Sequence, residues 1–207
     1  MYSIKEIYKT IQGEGAQSGQ SAVFVRFSGC NLWSGKEKHR DDAICKFCDT
    51  DFVGTDGVNG GKYSIETLIT KIQELWDSEE EAYVVFTGGE PMLQLDQKLI
   101  SACKKVNFIT AIETNGTIKI DFDIDWICVS PKAGSKLLVN KGNELKVVYP
   151  QDEFDLKSFE TLNFDHFFLQ PMDSEDKINN TENAIKFCLK NPKWKLSIQQ
   201  HKILGID

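Results

Sequence analysis

Three cysteines close together in the chain are the residues most suited to chemistry. Fourteen residues separate Cys30 from Cys45, and two separate Cys45 from Cys48. Thiolate is a soft ligand, so this spacing predicts a metal ion or an iron–sulfur cluster. Three cysteines leave one iron of a four-iron cubane free for a small chelating molecule. His39 lies between the cysteines and could instead complete a Cys₃His zinc site, so the loop alone leaves both interpretations open.

A second candidate group precedes the cysteines. Gln12-Gly13-Glu14-Gly15 places a carboxylate between two glycines, which permit unusual backbone angles and close approach to a ligand. Taken by itself, this pattern predicts a tight turn with a solvated Glu14. Arg26 interrupts the apolar run Val-Phe-Val-Arg-Phe, on the same face as Phe24 if the strand is regular, and its rigid fork suits a carboxylate ligand.

Polar, turn-forming residues also follow four predicted strands. These groups are Thr87-Gly88-Gly89-Glu90-Pro91, Glu113-Thr114-Asn115-Gly116, Ser130-Pro131-Lys132 and Gln170-Pro171-Met172-Asp173. Each could be an ordinary turn or helix cap. Together with the cysteine loop they predict a ligand site, because barrels and open α/β sheets bind ligands at the carboxyl ends of their strands. The other cysteines, Cys103, Cys128 and Cys188, have apolar neighbours and are predicted to be small core residues.

The elements that position these groups follow from hydrophobic periodicity. Strands are predicted at 2–11, 22–28, 83–86, 108–112, 126–129 and 167–169, and helices at 64–76, with Ser64 as N-cap, and around 95–106. Strands that alternate with helical or loop segments are typical of a parallel sheet built from βαβ units. We expect one domain over residues 1–207, with a long functional loop at 29–62.

Composition limits the class of protein. The 207 residues contain 24 Lys plus Arg against 31 Asp plus Glu, so the net charge is -7 and a duplex-binding surface is not expected. The sequence has no apolar run near the roughly 18 residues of a membrane span and no recognisable leader. We therefore expect a cytoplasmic protein with reduced cysteines, no nucleic-acid partner and no membrane partner.

The cysteine trio followed by Thr-Gly-Gly-Glu-Pro at a later strand end resembles the radical S-adenosylmethionine (SAM) superfamily. The superfamily usually has three residues, then two, between its cysteines, so the fourteen-residue gap departs from the pattern. That gap, with Gln12-Gly13-Glu14-Gly15, Cys48-Asp49-Thr50 and Gln170-Pro171-Met172-Asp173, resembles the 7-carboxy-7-deazaguanine synthase family. The resemblance covers essentially the whole chain, from Ile4 to Gln200-His201-Lys202.

The resemblance implies a role for individual residues. Cys30, Cys45 and Cys48 would hold a [4Fe–4S] cluster. SAM would be bound by residues from the four strand ends: Gly89, Glu90, Glu113, Asn115, Ser130, Pro131, Lys132, Gln170, Pro171, Met172 and Asp173. The pterin substrate would be bound by Ile11, Gln12, Gly13, Glu14, Arg26 and Thr87, and Asp207 could place its terminal carboxylate nearby or belong to a frayed terminus. Thr50 would provide an oxygen to Mg²⁺, an ion that prefers oxygen ligands.

The implied fold is a partial (β/α) barrel of the radical SAM type with a long cluster-binding loop. The implied reaction is the ring contraction of 6-carboxy-5,6,7,8-tetrahydropterin to 7-carboxy-7-deazaguanine with release of ammonia, in queuosine precursor biosynthesis. Reductive cleavage of SAM would give a 5′-deoxyadenosyl radical that takes a hydrogen atom from the substrate. The expected partners are an electron donor such as flavodoxin or ferredoxin and a second copy of the chain. The alternatives are a radical SAM enzyme acting on another substrate and a zinc-stabilised binding protein.

Overall fold

The computed structural model describes residues 1–152 and 154–206, which form nine strands and five α-helices. The strands are β1 (Tyr2–Ile11), β2 (Ser21–Phe27), β3 (Gly61–Tyr63), β4 (Tyr83–Gly88), β5 (Ile109–Thr114), β6 (Trp126–Val129), β7 (Lys141–Tyr149), β8 (Asn163–Pro171) and β9 (Trp194–Leu196). The helices are α1 (Ile65–Leu75), α2 (Gln97–Lys105), α3 (Leu156–Phe159), α4 (Lys177–Lys190) and α5 (Gln200–Leu204).

All nine strands form one sheet in the order β3-β1-β2-β4-β5-β6-β7-β8-β9. The neighbours from β2 to β9 are parallel, whereas β1 pairs antiparallel with both β2 and β3. The carboxyl ends of the parallel strands therefore share one edge. Because β3 and β9 remain the two ends of the strand order, this is the predicted partial barrel rather than a closed one.

Alternation along β2 separates two cores. Val23, Val25 and Phe27 pack into the larger core beneath α1 and α2, whereas Ala22 and Phe24 belong to a small inner cluster with residues of β4 and β5. Arg26 has the same parity as Phe24, so it projects to the inner side, as expected from a regular pleat. The inner side of the curved sheet therefore combines a small apolar base with polar side chains nearer the carboxyl edge.

The predicted helices are present, with slightly different bounds. Ser64 caps α1 by accepting a hydrogen bond from the Thr67 amide, and the Thr67 hydroxyl accepts one from the Ser64 amide. The second helix begins at Gln97 rather than near Leu95, because the Asp96 side chain accepts the Leu99 amide hydrogen and acts as its N-cap. Within the described residues, every helix is too short or too polar to cross a bilayer.

The sequence analysis did not predict β7. In its sequence the charged residues Glu144 and Lys146 alternate with Leu145 and Val147, although all four are buried in the strand. The charges made the segment hard to recognise as a buried strand. Glu144 and Lys146 project to the inner side, while Leu145 and Val147 join the core packed against α4. A parallel strand covered on both faces normally appears as a continuous apolar run, and these two charges break that pattern.

Candidate active site

The carboxyl edge of the sheet surrounds a cavity of about 450 Å³. Of the residues proposed above, those that line it are Ile11, Gln12, Gly13, Glu14, Arg26, Cys30, Cys45, Cys48, Thr50, Thr87, Gly89, Glu113, Asn115, Ser130, Lys132, Gln170, Pro171, Met172 and Asp173. Within the described chain, Glu90 and Pro131 are not among the lining residues, and Asp207 lies outside the described residues. The structure therefore brings together residues that lie more than 150 positions apart in the sequence, from Ile11 to Asp173.

The fourteen-residue insert between Cys30 and Cys45 forms a loop whose ends meet. The Leu32 carbonyl oxygen accepts hydrogen bonds from the Ile44 and Cys45 amides, at 3.1 and 3.3 Å. The Leu32 amide in turn donates to the Cys30 sulfur at 3.4 Å. The insert thus leaves and returns at nearly the same place, which explains how a longer spacing still places Cys30 beside Cys45 and Cys48.

The three thiols present a suitable donor set for an iron–sulfur cluster. A hydrogen bond with Cys45 lowers the pKa of Cys48 to about 6, despite the opposing effect of burial, and Thr50 hydrogen-bonds to the same sulfur. Lys132 lies close enough to Cys45 and Cys48 for its charge to favour their thiolates, although burial lowers the pKa of Lys132 and the hydrogen bond with Cys48 raises the pKa of Cys45. Three thiols around one cavity, one of them already polarised, match the ligand chemistry of a cluster with an open iron.

The zinc alternative fits less well. The Nδ1 atom of His39 is 2.8 Å from the Ser34 hydroxyl, and the structure does not place His39 among the cavity-lining residues of the described chain. In the part of the chain that the structure describes, no three His, Cys, Asp or Glu side chains are arranged to hold a single metal ion. The thiols instead face a space that a larger group can enter.

Gly89 lets the end of β4 contact the cysteine loop. A Cβ atom at this position would lie 2.3 Å from the Gly29 carbonyl oxygen and 2.7 Å from Cys30 Cβ. The next amide, Glu90 N, donates to that same Gly29 oxygen at 2.9 Å. Glycine is required here because the two backbones touch beside the first cysteine.

Glu90 is fully buried and connects neighbouring strand ends. Its carboxylate accepts hydrogen bonds from the Thr114 hydroxyl at 2.7 Å, the Asn115 amide at 2.8 Å and the Met92 amide at 2.9 Å. Burial raises the pKa of Glu90, against the effect of these donors. The structure gives this carboxylate a structural role between β4 and β5, and its predicted contact with SAM stays a prediction.

The glycine-flanked turn does not expose Glu14, so the expectation of a solvated carboxylate was wrong. The side chain of Glu14 is 15% exposed, and its Oε2 atom accepts a hydrogen bond from Lys146 Nζ at 2.6 Å. Its Oε1 atom accepts bonds from the amides of Gln170 and Gln199, at 3.0 and 3.1 Å. Although burial opposes ionisation, the charge and hydrogen bond of Lys146 and the hydrogen bond from Gln199 lower the pKa of Glu14 to about 2.

Glu144 fixes the other half of this turn. Its carboxylate accepts the Ala16 amide hydrogen at 2.8 Å and the Cys128 thiol at 3.4 Å. Gly15 has a φ of +66°, and a Cβ atom there would lie 2.0 Å from Glu144 Oε1. The second glycine of the motif therefore serves both a left-handed backbone and close approach to a buried carboxylate. Cys128 is buried, as predicted, but it also lines the cavity.

Arg26, Thr87 and Glu113 are further polar residues that line the cavity. Arg26 Nε donates to Glu6 at 2.8 Å. Glu113 accepts hydrogen bonds from Gln12 Nε2 at 3.1 Å and the Thr87 hydroxyl at 3.3 Å, and it lies 3.6 Å from Lys146 Nζ. Burial would lower the pKa of Lys146, but Glu113 and Glu14 raise it well above its ordinary value, so this lysine remains an ammonium.

The C-terminal segment covers one side of the cavity. The Gln200 amide donates to the Gly13 carbonyl at 3.0 Å, and His201 packs so closely on Gly13 that a Cβ there would lie 2.4 Å from His201 Nδ1. Lys202 Nζ lies 2.6 Å from Asp49 of the cysteine loop and 2.6 Å from Asp173 after β8. This segment thus connects the turn, the cysteine loop and the end of β8.

Sequence reasoning missed Glu144 and Lys146, which come from a strand it did not predict. It also assigned no contact to Gln199, His201 or Lys202, although all three line the cavity. A charged pair at alternate positions inside an otherwise apolar segment, Glu144-Leu145-Lys146-Val147-Val148, was the available signal. Charges on the inner side of a parallel sheet are typical of a functional site.

Comparisons with known proteins identify relatives of this chain. The Radical SAM superfamily domain matches residues 40–141. The chain is 55% identical over 207 residues to the 7-carboxy-7-deazaguanine synthase of Burkholderia multivorans and 55% identical to that of Bradyrhizobium diazoefficiens, with 99% of each chain covered. The crystal structure of QueE from Escherichia coli superposes with a TM-score of 0.75 at 27% identity, covering 97% of this chain and 94% of that one.

Proposed function

The chain belongs to the 7-carboxy-7-deazaguanine synthase family of radical SAM enzymes, and we propose that its cavity contracts the ring of 6-carboxy-5,6,7,8-tetrahydropterin with release of ammonia. Membership implies a [4Fe–4S] cluster, SAM, a small-molecule substrate and a reductant. One observation supports the proposal: the same cavity is lined by the three cysteines and by buried polar side chains, which include Glu14, Gln170 and Lys146.

Cys30, Cys45 and Cys48 would hold the cluster in this proposal. When bound, the reduced cluster and SAM together supply a one-electron cleavage that produces an organic radical for hydrogen abstraction. The protein contributes position: Gly89 brings β4 against Cys30, and the Leu32 carbonyl closes the insert onto Cys45. Lys132 supplies positive charge beside two of the thiols.

The part of the cavity nearest the cysteines suits SAM. Asn115 Nδ2 donates to Asn31, the residue after Cys30, at 3.0 Å, and Lys132 Nζ donates to the Ser130 hydroxyl at 2.7 Å. We assign SAM to the residues on this side, which are Gly89, Asn115, Ser130, Lys132, Pro171, Met172 and Asp173. Amide, hydroxyl and backbone groups there match a ligand with an amino acid end and a ribose.

The pterin would occupy the part of the cavity around Glu14, Arg26 and Glu113. Its amino-pyrimidinone edge needs hydrogen-bond acceptors and its carboxylate needs a cation, and this region contains both kinds of group. Glu113 bonds to Gln12 and Thr87, two of the predicted substrate residues, so we assign it to the substrate rather than to SAM. Gln170 joins this group through its 3.0 Å bond to Glu14.

Lys146 would organise the substrate region as a permanent cation, without giving up its proton. Its ammonium holds Glu14 at 2.6 Å and lies 3.6 Å from Glu113, so both carboxylates are oriented before substrate enters. Groups fixed in this way need little reorganisation during the reaction. The C-terminal segment, through Gln199 and His201, would keep water from this region.

Mg²⁺ is proposed beside Thr50. Thr50 lines the cavity next to Cys48, and Asp51 lines it as well. Magnesium usually keeps several waters and takes only one or two protein oxygens, with further oxygens from substrate. A single threonine hydroxyl and the substrate carboxylate meet that requirement, and the ion would fix the orientation of the carboxylate.

The remaining proposals concern partners and location. Resemblance to the family supports a flavodoxin or ferredoxin as reductant and a homodimer as the assembly. Six free cysteines, three of them needed as ligands, support a reducing compartment such as the cytoplasm.

The proposal is tested by anaerobic turnover of the reconstituted protein with SAM, dithionite and the carboxy-tetrahydropterin. We expect 7-carboxy-7-deazaguanine and ammonia in equal amounts, measured by mass spectrometry and an ammonia assay. The Cys45→Ser variant should give neither product, whereas Cys188→Ser, outside the cavity, should be active. Full cluster content with SAM cleavage but no deazaguanine would show that the substrate is a different molecule.

A further inference from the structure

The insert that separates Cys30 from Cys45 is organised around one arginine. The two terminal nitrogens of Arg40 bond to different groups. Nη1 donates to the carbonyl oxygens of Lys46 at 2.7 Å and Cys48 at 3.1 Å. Nε and Nη2 donate to the two carboxylate oxygens of Glu37 at 2.7 and 2.5 Å. The guanidinium is therefore held in a fixed plane between the insert and the segment that contains two of the three cysteines.

The same guanidinium also contacts the Cys30 side of the loop. Its Cζ atom lies 4.0 Å from the centre of the Trp33 ring, within range of a cation–π interaction. Trp33 is buried and packs edge-on against Phe52 at 5.6 Å. The Phe52 carbonyl in turn accepts the Gly29 amide hydrogen at 3.1 Å, so this tryptophan is fixed next to the residue that precedes Cys30.

Arg40 thus joins the two halves of the thiol set. Through Trp33 it is attached to the backbone around Cys30, and through two carbonyl oxygens it is attached to the segment from Cys45 to Cys48. The Leu32 carbonyl closes the ends of the insert, but it does not restrain the Lys46 and Cys48 carbonyls. Only a planar group with several N–H donors and an apolar face can make all three contacts together.

We propose that Arg40 is a positioning residue for the iron–sulfur cluster, which sets the separation of Cys30 from Cys45 and Cys48 and raises the reduction potential of the bound cluster. The inference rests on the proposed function, because it requires these cysteines to be cluster ligands. A cation near the ligands stabilises the reduced, more negative form relative to the oxidised form. The insert then compensates for the unusual spacing of the cysteines.

Three variants separate position from charge. Arg40→Gln removes both, so we expect less than half of the wild-type iron per chain after reconstitution and a more negative midpoint for the clusters that form. Arg40→Lys keeps the charge but loses the planar fork, so iron content should fall while the midpoint stays near that of wild type. Glu37→Gln keeps both carbonyl contacts and removes a negative charge, so iron content should be unchanged and the midpoint should become more positive.

The measurements are iron and sulfide per chain and a redox titration followed by electron paramagnetic resonance, all without oxygen. Far-UV circular dichroism of the apoproteins checks that each variant is folded. If Arg40→Gln does not fold, Arg40→Lys and Trp33→Leu test the same contacts, and both should lose iron. Wild-type iron content in the folded arginine variants, or a wild-type midpoint in Arg40→Gln, would overturn the inference while leaving the proposed function intact. Wild-type protein that binds no four-iron cluster would overturn the cluster assignment itself.

Discussion

The Lys146 ammonium lies 2.6 Å from the Glu14 carboxylate, across 132 positions of the sequence. This contact joins the inner side of β7 to the turn that follows β1. Glu14 is flanked by glycines that touch His201 and Glu144, so the turn is held from several directions. The pair is buried, and the energetic consequences of changing it are correspondingly large.

Replacing either partner should destabilise the protein by about 3–5 kcal/mol, because a buried charge loses its partner. Glu14→Gln leaves Lys146 near Glu113 alone, and Lys146→Met leaves two carboxylates without their cation. The double variant should lose less stability than the sum of the single variants. Urea unfolding of the four apoproteins measures this coupling, and strict additivity would show that the pair contributes nothing specific.

The free energy of unfolding should decrease at acidic pH, over a pH range set by the pKa of Glu14. Its pKa in the folded state, about 2, is below the ordinary 4.5, so its stabilising contribution is present above pH 4.5 and is lost as the pH falls toward 2. In Glu14→Gln, the decrease in unfolding free energy between these pH values should be smaller than in wild type. Parallel pH curves for the two proteins would contradict a strongly ionised Glu14 in the folded state.

Gly15 and Gly19 both have positive φ values, so they can be compared to test the close approach of Glu144 to Gly15. Their φ values are +66° and +95°, but a Cβ at Gly15 would lie 2.0 Å from Glu144, whereas none of the described atoms lies within 4 Å of one at Gly19. Gly19→Ala should cost only the backbone term, roughly 1–2 kcal/mol. Gly15→Ala should cost more and should also raise the KM for substrate, because Glu144 must move. Equal losses in thermal unfolding would show that the close approach to Glu144 is unimportant.

Thr50→Ala should weaken stimulation of turnover by Mg²⁺ because one oxygen ligand is lost. SAM binding and iron content should be retained. Thr50→Ser keeps the hydroxyl, so its magnesium response should match that of wild type. Turnover is measured as a function of added MgCl₂, and an unchanged response in the alanine variant would remove Thr50 from the magnesium site.

Lys202 should influence substrate retention through its contacts with Asp49 and Asp173. These are partly exposed ion pairs, so Lys202→Met should cost about 1 kcal/mol in binding, or roughly fivefold in KM, with little change in kcat. Lys186→Met removes an exposed ion pair with Glu182 on α4 and serves as the control. The kinetics of the two variants and wild type are compared at low salt, and equal KM values would mean that Lys202 does not help to close the cavity.

The local sequence was sufficient to predict much of this protein. Helical and strand periodicity gave α1, α2 and six of the strands, because both depend on which residues a short segment can bury. The cysteine spacing indicated a metal ion or an iron–sulfur cluster, because thiolates are soft ligands, and the polar groups after four strands indicated a ligand site at their carboxyl ends. The resemblance to a family added the reaction.

Only the tertiary structure decided how the charged residues are used. Glu14 appeared to be a solvated turn residue, yet Lys146 makes it a buried ion. Glu90 is predicted to contact SAM, and the structure gives its carboxylate a second use, because it connects β4 to β5. Residue type does not reveal whether a charge is buried, because its partner is fixed by strand order and register between segments far apart in the chain. For that reason the sequence by itself determined the kinds of groups at the site, and the packing of β7 against β6 and β8 determined which of them face one another.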